Sequence, residues 1–140
     1  MVGLDEGGPG RGYCDYLVDT FPTLGGVSEP NRTIPAARAP RNRRSFSLAE
    51  HASILVTFGG EDPAVLTPAT CKSLIDGGVG PRRVTAVRGP SAPVWELPSG
   101  VELLENQNDL REILHRYDII ITSFGITAFE ALSAGSAVLL

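Results

Sequence analysis

The chain has 140 residues, enough for about one domain with a core of its own. Its net charge of −4 gives no bulk attraction to nucleic acid or to an anionic membrane. No apolar run approaches the roughly 20 residues of a membrane span, and the opening Met-Val-Gly-Leu-Asp-Glu lacks a signal peptide's basic and apolar regions, so a cytoplasmic protein is expected.

In chain order, Val2-Gly-Leu reads as the tail of a strand running into a turn-rich loop, Asp5-Glu-Gly-Gly-Pro-Gly-Arg-Gly. Residues 13–19 read as a short strand with Leu17 and Val18 turned inward. From Phe21 to about Ser45 periodicity vanishes and Pro, Gly, Asn and Arg dominate, the composition of a linker. Arg38, Arg41, Arg43 and Arg44 cluster there without the interleaved aromatics that stack on RNA, so a solvated linker accounts for them best. Asn31-Arg-Thr fits a glycosylation acceptor but carries no meaning without a signal peptide. Cys14 and Cys71 lie far apart in no metal-ligand spacing; buried free thiols of a reducing compartment are expected, one disulfide being the alternative.

A second folded part opens near Ala52. Ile54-Leu-Val-Thr-Phe is a strand, and Gly59-Gly-Glu-Asp-Pro follows at its C-terminal end, where two glycines let the backbone turn sharply and approach a ligand. Asp62-Pro and Thr67-Pro each look like an N-cap followed by proline, so a helix starts at one of them and runs to about Asp76. Leu66, Leu74 and Ile75 should face inward, and Gly77-Gly78 should stop it. Strands are predicted at 84–87 and, more weakly, at 101–104, separated by a proline-rich loop holding Trp95. Asp109 and Glu112 open a further helix in capping-box spacing, with Leu110, Ile113 and Leu114 on its inner face. His115 falls in that helix as a surface or capping residue.

Asp118-Ile-Ile-Ile-Thr has no polar alternation, as befits a parallel strand covered on both faces. Ser123, Gly125 and Thr127 then crowd small residues onto its C-terminal end. A helix follows with Ile126, Phe129 and Leu132 as its apolar face; Gly135 ends it, and a last strand begins at Ala137. From Ile54 the order is β-α-β-β-α-β-α-β, which predicts an α/β fold with a mostly parallel, Rossmann-like sheet. The chain begins in the tail of a strand and stops inside an apolar run, so a fragment, or one half of a split protein, is expected.

Two loops carry the candidate chemistry: residues 59–62 after the first strand of this part and 123–130 after the fourth. Each also has a plain account, Gly59-Gly60 as a tight turn and Thr127-x-x-Glu130 as a capping box. Together, at one end of one sheet, they offer backbone N–H groups and hydroxyls to a diphosphate, and a carboxylate to a sugar hydroxyl. The Gly-x-Gly-x-x-Gly of dinucleotide sites is missing, as is a Walker-type lysine. No paired-carboxylate or His-rich metal site is visible, and no cofactor is expected.

Gly-Gly-Glu-Asp-Pro after its strand, followed by Ser-Phe-Gly-Ile-Thr-Ala-Phe-Glu-Ala-Leu-Ser-Ala-Gly, resembles the C-terminal domain of GT-B-fold nucleotide-sugar enzymes. The likeness is greatest to spore-coat polysaccharide biosynthesis proteins and to the UDP-sugar hydrolase of pseudaminic acid synthesis, and more distant to the lipid II GlcNAc transferase. It covers about residues 54–140, and residues 4–22 are loosely similar to the end of that family's N-terminal domain. The resemblance implies that Gly59 and Gly60 approach the nucleotide diphosphate, that Glu61 beside them belongs to the nucleotide-sugar site, that Ser123, Gly125 and Thr127 line the same pocket, and that Glu130 holds a ribose or sugar hydroxyl. The chain would then comprise the end of an N-terminal α/β domain (1–24), a flexible linker (25–51) and a truncated nucleotide-sugar-binding domain (52–140). The implied partner is a UDP-sugar, with a second chain or a missing N-terminal domain completing the enzyme. The implied activity is glycosyl transfer or UDP-sugar hydrolysis in surface polysaccharide or nonulosonate biosynthesis. The family's N-terminal Gly-rich loop with its catalytic His is absent; His51 and His115 match neither its context nor its position, so no catalytic residue is assigned. A subunit of a split glycosyltransferase, a UDP-GlcNAc 2-epimerase-like enzyme and a non-catalytic remnant remain the alternatives.

Overall fold

The apolar run Ile54–Val56 forms the central strand of a parallel sheet in a computed structural model of the chain, which describes residues 2–4, 9–13, 15–18, 52–105 and 107–140. The chain divides into two compact units, Met1–Pro35 and Ala36–Leu140. In the first, strands β1 (Val2–Leu4) and β2 (Tyr16–Val18) pair in parallel around a 3₁₀ turn at Pro9–Tyr13. Expectations concerning the linker 25–51, its arginine cluster, Asn31, His51 and Cys14 lie outside the described residues.

In the second unit, β3 (Ile54–Val56), α1 (Leu66–Asp76), β4 (Val84–Arg88), β5 (Glu102–Glu105), α2 (Arg111–Leu114), β6 (Ile119–Ile121), α3 (Ile126–Ser133) and β7 (Ala137–Leu139) follow the element order predicted from the sequence. The five strands lie in the order β5-β4-β3-β6-β7, and every pairing is parallel. This is a small Rossmann-like α/β domain.

Strand alternation divides the core between the two faces of the sheet. Ile54, Val56, Val84, Ala86 and Ile119 point to one face, where Cys71, Leu74 and Ile75 of α1 cover them. Leu55, Val87 and Ile120 point to the other, against Leu114 of α2 and Ala131 and Ala134 at the end of α3. The β4–β5 connection has no α-helix; an extended strap lays Trp95, Leu97 and Val101 on the α1 face instead. Chain winding reverses between β3 and β6, so the loops leaving those two strands flank the point where α/β sheets place their ligands.

Both long helices end as the glycines dictate. Gly78 (φ 90°) and Gly135 (φ 83°) take the left-handed conformation. Val79 then donates to the Leu74 carbonyl and Ser136 to the Ala131 carbonyl, closing Schellman motifs.

The helix starts correct the expectation. Neither Asp62-Pro nor Thr67-Pro is an N-cap followed by proline, because α1 begins at Leu66 and Val65 precedes it in the left-handed conformation (φ 55°). Asp62 acts from four residues upstream: its buried carboxylate accepts the N–H groups of Leu66 (2.8 Å) and Thr67 (3.0 Å). Leu66 does not face inward; it is 43 % exposed.

The expected apolar face of α3 is also wrong. Ile126 and Leu132 are 45 % and 57 % exposed, while Ala128, Ala131 and Ala134 are buried. Methyl side chains let the helix lie close on the sheet, and that close approach turns the large residues outward. Phe129, half-buried, meets Phe124 edge-on with ring centroids 5.9 Å apart.

The N-terminal ends of β3 and β6 are pinned together. Asp118 Oδ2 accepts both the Ser53 N–H and the Ser53 hydroxyl at 2.8 Å, and Asp118 N–H donates to the Ser53 carbonyl at 3.0 Å. This clamp lies at the opposite end of the two strands from the loops that leave them.

Candidate functional site

At the C-terminal ends of the strands a cavity of about 170 Å³ opens, lined by Thr57, Gly59, Gly60, Val87, Arg88, Gly89, Pro90, Gln107, Leu110 and Thr127. Of the residues singled out in the sequence, it brings together Gly59, Gly60 and Thr127. Glu61 is exposed on the same loop, just past the lining residues. Ser123 is exposed on the loop after β6, and Gly125 is the N-cap of α3; neither is among the lining residues. Glu130 lies one turn further along α3 and faces the beginning of α2, where Asp109 and Arg111 are joined by two hydrogen bonds of 2.7 Å. Partial burial raises the Glu130 carboxyl above its ordinary value; Arg111 opposes that shift and Asp109 adds to it.

The loop after β3 is tightly constrained. Gly59 (φ 91°) and Asp62 (φ 37°) both take positive φ, as does Val65 at the helix start. A β-branched residue there stores about 1–3 kcal/mol, and such strain gathers at ligand loops. The N–H groups of Gly60 and Glu61 meet no acceptor among the described residues.

The two helices bordering this region differ in what their N-termini offer. At α1 the Asp62 carboxylate already occupies the first turn, so its free N–H groups and positive dipole end are taken by the protein's own anion. At α3 no side chain caps the helix. Thr127 is the second helical residue, so the Thr127-x-x-Glu130 capping box does not form. The Ile126 and Thr127 N–H groups have no acceptor among the described residues. The open helix end is therefore the one at the crevice.

Cations contribute little here. Arg88 lines the cavity, but its guanidinium pairs with Glu105 across the β4–β5 ladder and stands 6.0 Å from the Trp95 ring centroid. An anion in this crevice would be held chiefly by backbone amides. Among the described residues no three His, Cys, Asp or Glu side chains gather to hold a metal ion, and no helix is long and apolar enough to cross a membrane.

Sequence reasoning missed the third wall, Gly89-Pro90 and Gln107. The signal for the first was present: Val-Arg-Gly-Pro closes a strand as Phe-Gly-Gly closes β3. Compared with protein-family models, curated proteins and solved structures, the chain matches none.

Proposed function

We propose that residues 52–140 form the nucleotide-sugar-binding domain of a GT-B-type glycosyltransferase or UDP-sugar hydrolase, holding the ligand by its diphosphate where the winding of the sheet reverses. One observation carries this reading: the uncapped start of α3 and the Gly60 and Glu61 amides, without acceptors among the described residues, follow adjacent strands, while Asp62 blocks the rival site at α1. Amides fixed in this way stabilise negative charge without reorganising, as departure of a nucleoside diphosphate from an anomeric carbon requires. The cavity is smaller than the roughly 300–1,000 Å³ that encloses a whole drug-sized ligand, so it suits the diphosphate, with nucleoside and sugar spreading over the rim. Glu130, on the Thr127 face of α3, is the hydroxyl-binding carboxylate in this reading.

The test is a thermal-shift titration of the whole chain with UDP, UDP-GlcNAc, CMP and NAD, since a ligand that binds only the folded state raises its melting temperature by mass action. A shift with UDP and UDP-GlcNAc that shrinks in Glu130→Ala is expected. A cooperative melt that no nucleotide moves would overturn the reading, and a shift with NAD alone would point to a dinucleotide site.

A further inference from the structure

The residue that sets the crevice's geometry is Gly89, which makes no positive-φ turn. A Cβ built there would fall 2.4 Å from both the Cα and the carbonyl oxygen of Gly60, and 2.6 Å from the carbonyl oxygen of Gly59. No side chain fits that gap. Gly60 itself has room, its nearest neighbour being Pro90 Cδ at 4.0 Å, so the restriction belongs to position 89. The turn that Gly89 begins, closed by the Ala92 N–H on the Gly89 carbonyl (3.2 Å), therefore presses directly on the loop after β3. It is fastened there by the Ser91 N–H, which donates to the Gly60 carbonyl at 3.0 Å.

This contact fixes a direction. The Gly59 and Gly60 carbonyl oxygens both lie against the turn that follows β4. In a planar trans peptide the next N–H points opposite to its carbonyl, so the Gly60 and Glu61 N–H groups face away from β4. β3 lies between β4 and β6, and the side away from β4 is the side of β6 and the open start of α3. We infer that Gly89 is a positioning residue: by admitting the Gly59 and Gly60 carbonyls against its own Cα, it aims two successive amides at the anion bound by α3. This rests on the diphosphate reading given above and adds to it the residue that orients half of the donors.

The experiment titrates inorganic pyrophosphate and UDP into the wild-type chain, Gly89→Ala and Gly80→Ala, following melting and the ¹H–¹⁵N resonances of Gly60 and Glu61. Gly80 is a remote control whose added methyl would meet only Arg83 Cδ at 3.8 Å. In the wild type both amide protons should move downfield with pyrophosphate. Gly89→Ala should melt cooperatively yet bind about ten-fold or more weakly, the loss expected for at least one hydrogen bond to a charged group. Gly80→Ala should bind as the wild type does. Wild-type affinity in Gly89→Ala overturns the inference and leaves the diphosphate site standing. So does pyrophosphate binding by the wild type with the Gly60 and Glu61 amides unmoved, a result that decides the matter even if the variant does not fold. A wild type that binds neither ligand overturns the diphosphate reading itself.

Discussion

Cys71 is a free thiol with no exposed surface, packed from the middle of α1 onto the sheet. Burial disfavours the thiolate and pushes its pKa from 9.0 up to about 11. In the unfolded chain the thiol ionises near 9.0, so between that value and about 11 the unfolded state holds fewer protons than the folded one. The stabilisation is complete below pH 9 and is lost as pH rises toward 11. In a Cys14→Ser background Cys71 should therefore resist thiol reagents at pH 8, and further replacement of Cys71 by Ala should give a smaller loss of melting temperature between pH 8.5 and 10.5. Rapid native labelling at the rate of a model thiol would contradict this. Composition alone indicated a buried thiol here, because cysteine is among the most buried residue types and no ligand spacing competed for it. For Gly89 the strand-end signal marks only a turn; its requirement for glycine is set by the Gly59 and Gly60 backbone, distant in the chain, and no local pattern shows that.

At the scale of elements, α1 depends on a cap that local rules placed wrongly. Local rules offer Asp62-Pro and Thr67-Pro as alternative pairs of N-cap and first helical residue, but the chain makes an extra turn through Asp62 and Val65, both of positive φ, before the helix begins. The same aspartate still satisfies the first amides, from a greater distance. Asp62→Ala should cost about 1–2 kcal/mol, the upper part of the range for caps, because the Thr67 N–H bond is buried. Urea unfolding should show a lower midpoint with an unchanged m-value; an unchanged midpoint would mean that solvent replaces the carboxylate. The misreading of α3 has a different origin. Periodicity ranks Ile, Phe and Leu as the inward stripe, yet Ala128, Ala131 and Ala134 share an equally regular spacing and permit a closer approach. Strands were the easier inference, because Ile54-Leu-Val and Ile119-Ile-Ile admit no exposed face.

On the scale of the whole molecule, the order of elements was legible because each apolar run is followed within a few residues by a turn or cap signal. The order of strands in the sheet was not, since it depends on which face each crossover takes. The two edges of that sheet are unequal. β5 places Glu102 and Glu105 on its edge, tied to Thr85 and Arg88, the kind of charge that discourages further pairing. β7 has no charged residue, and Leu139 is 55 % exposed. Leu139→Lys should raise the concentration at which the chain begins to aggregate, read by light scattering, while leaving its melting temperature within about 2 °C, as expected for a surface change. Unchanged aggregation would move the liability to the outer face of α3.

The strap that replaces a helix between β4 and β5 also gives this chain an optical property. Trp95 is its single tryptophan, half-buried against the α1 face, and the Arg88 guanidinium near its ring belongs to a residue that also borders the crevice. Indole emission therefore has one origin. Its colour and intensity report the wetness of the strap and the nearness of one cation. A spectroscopist can follow both from a side chain that no ligand need touch.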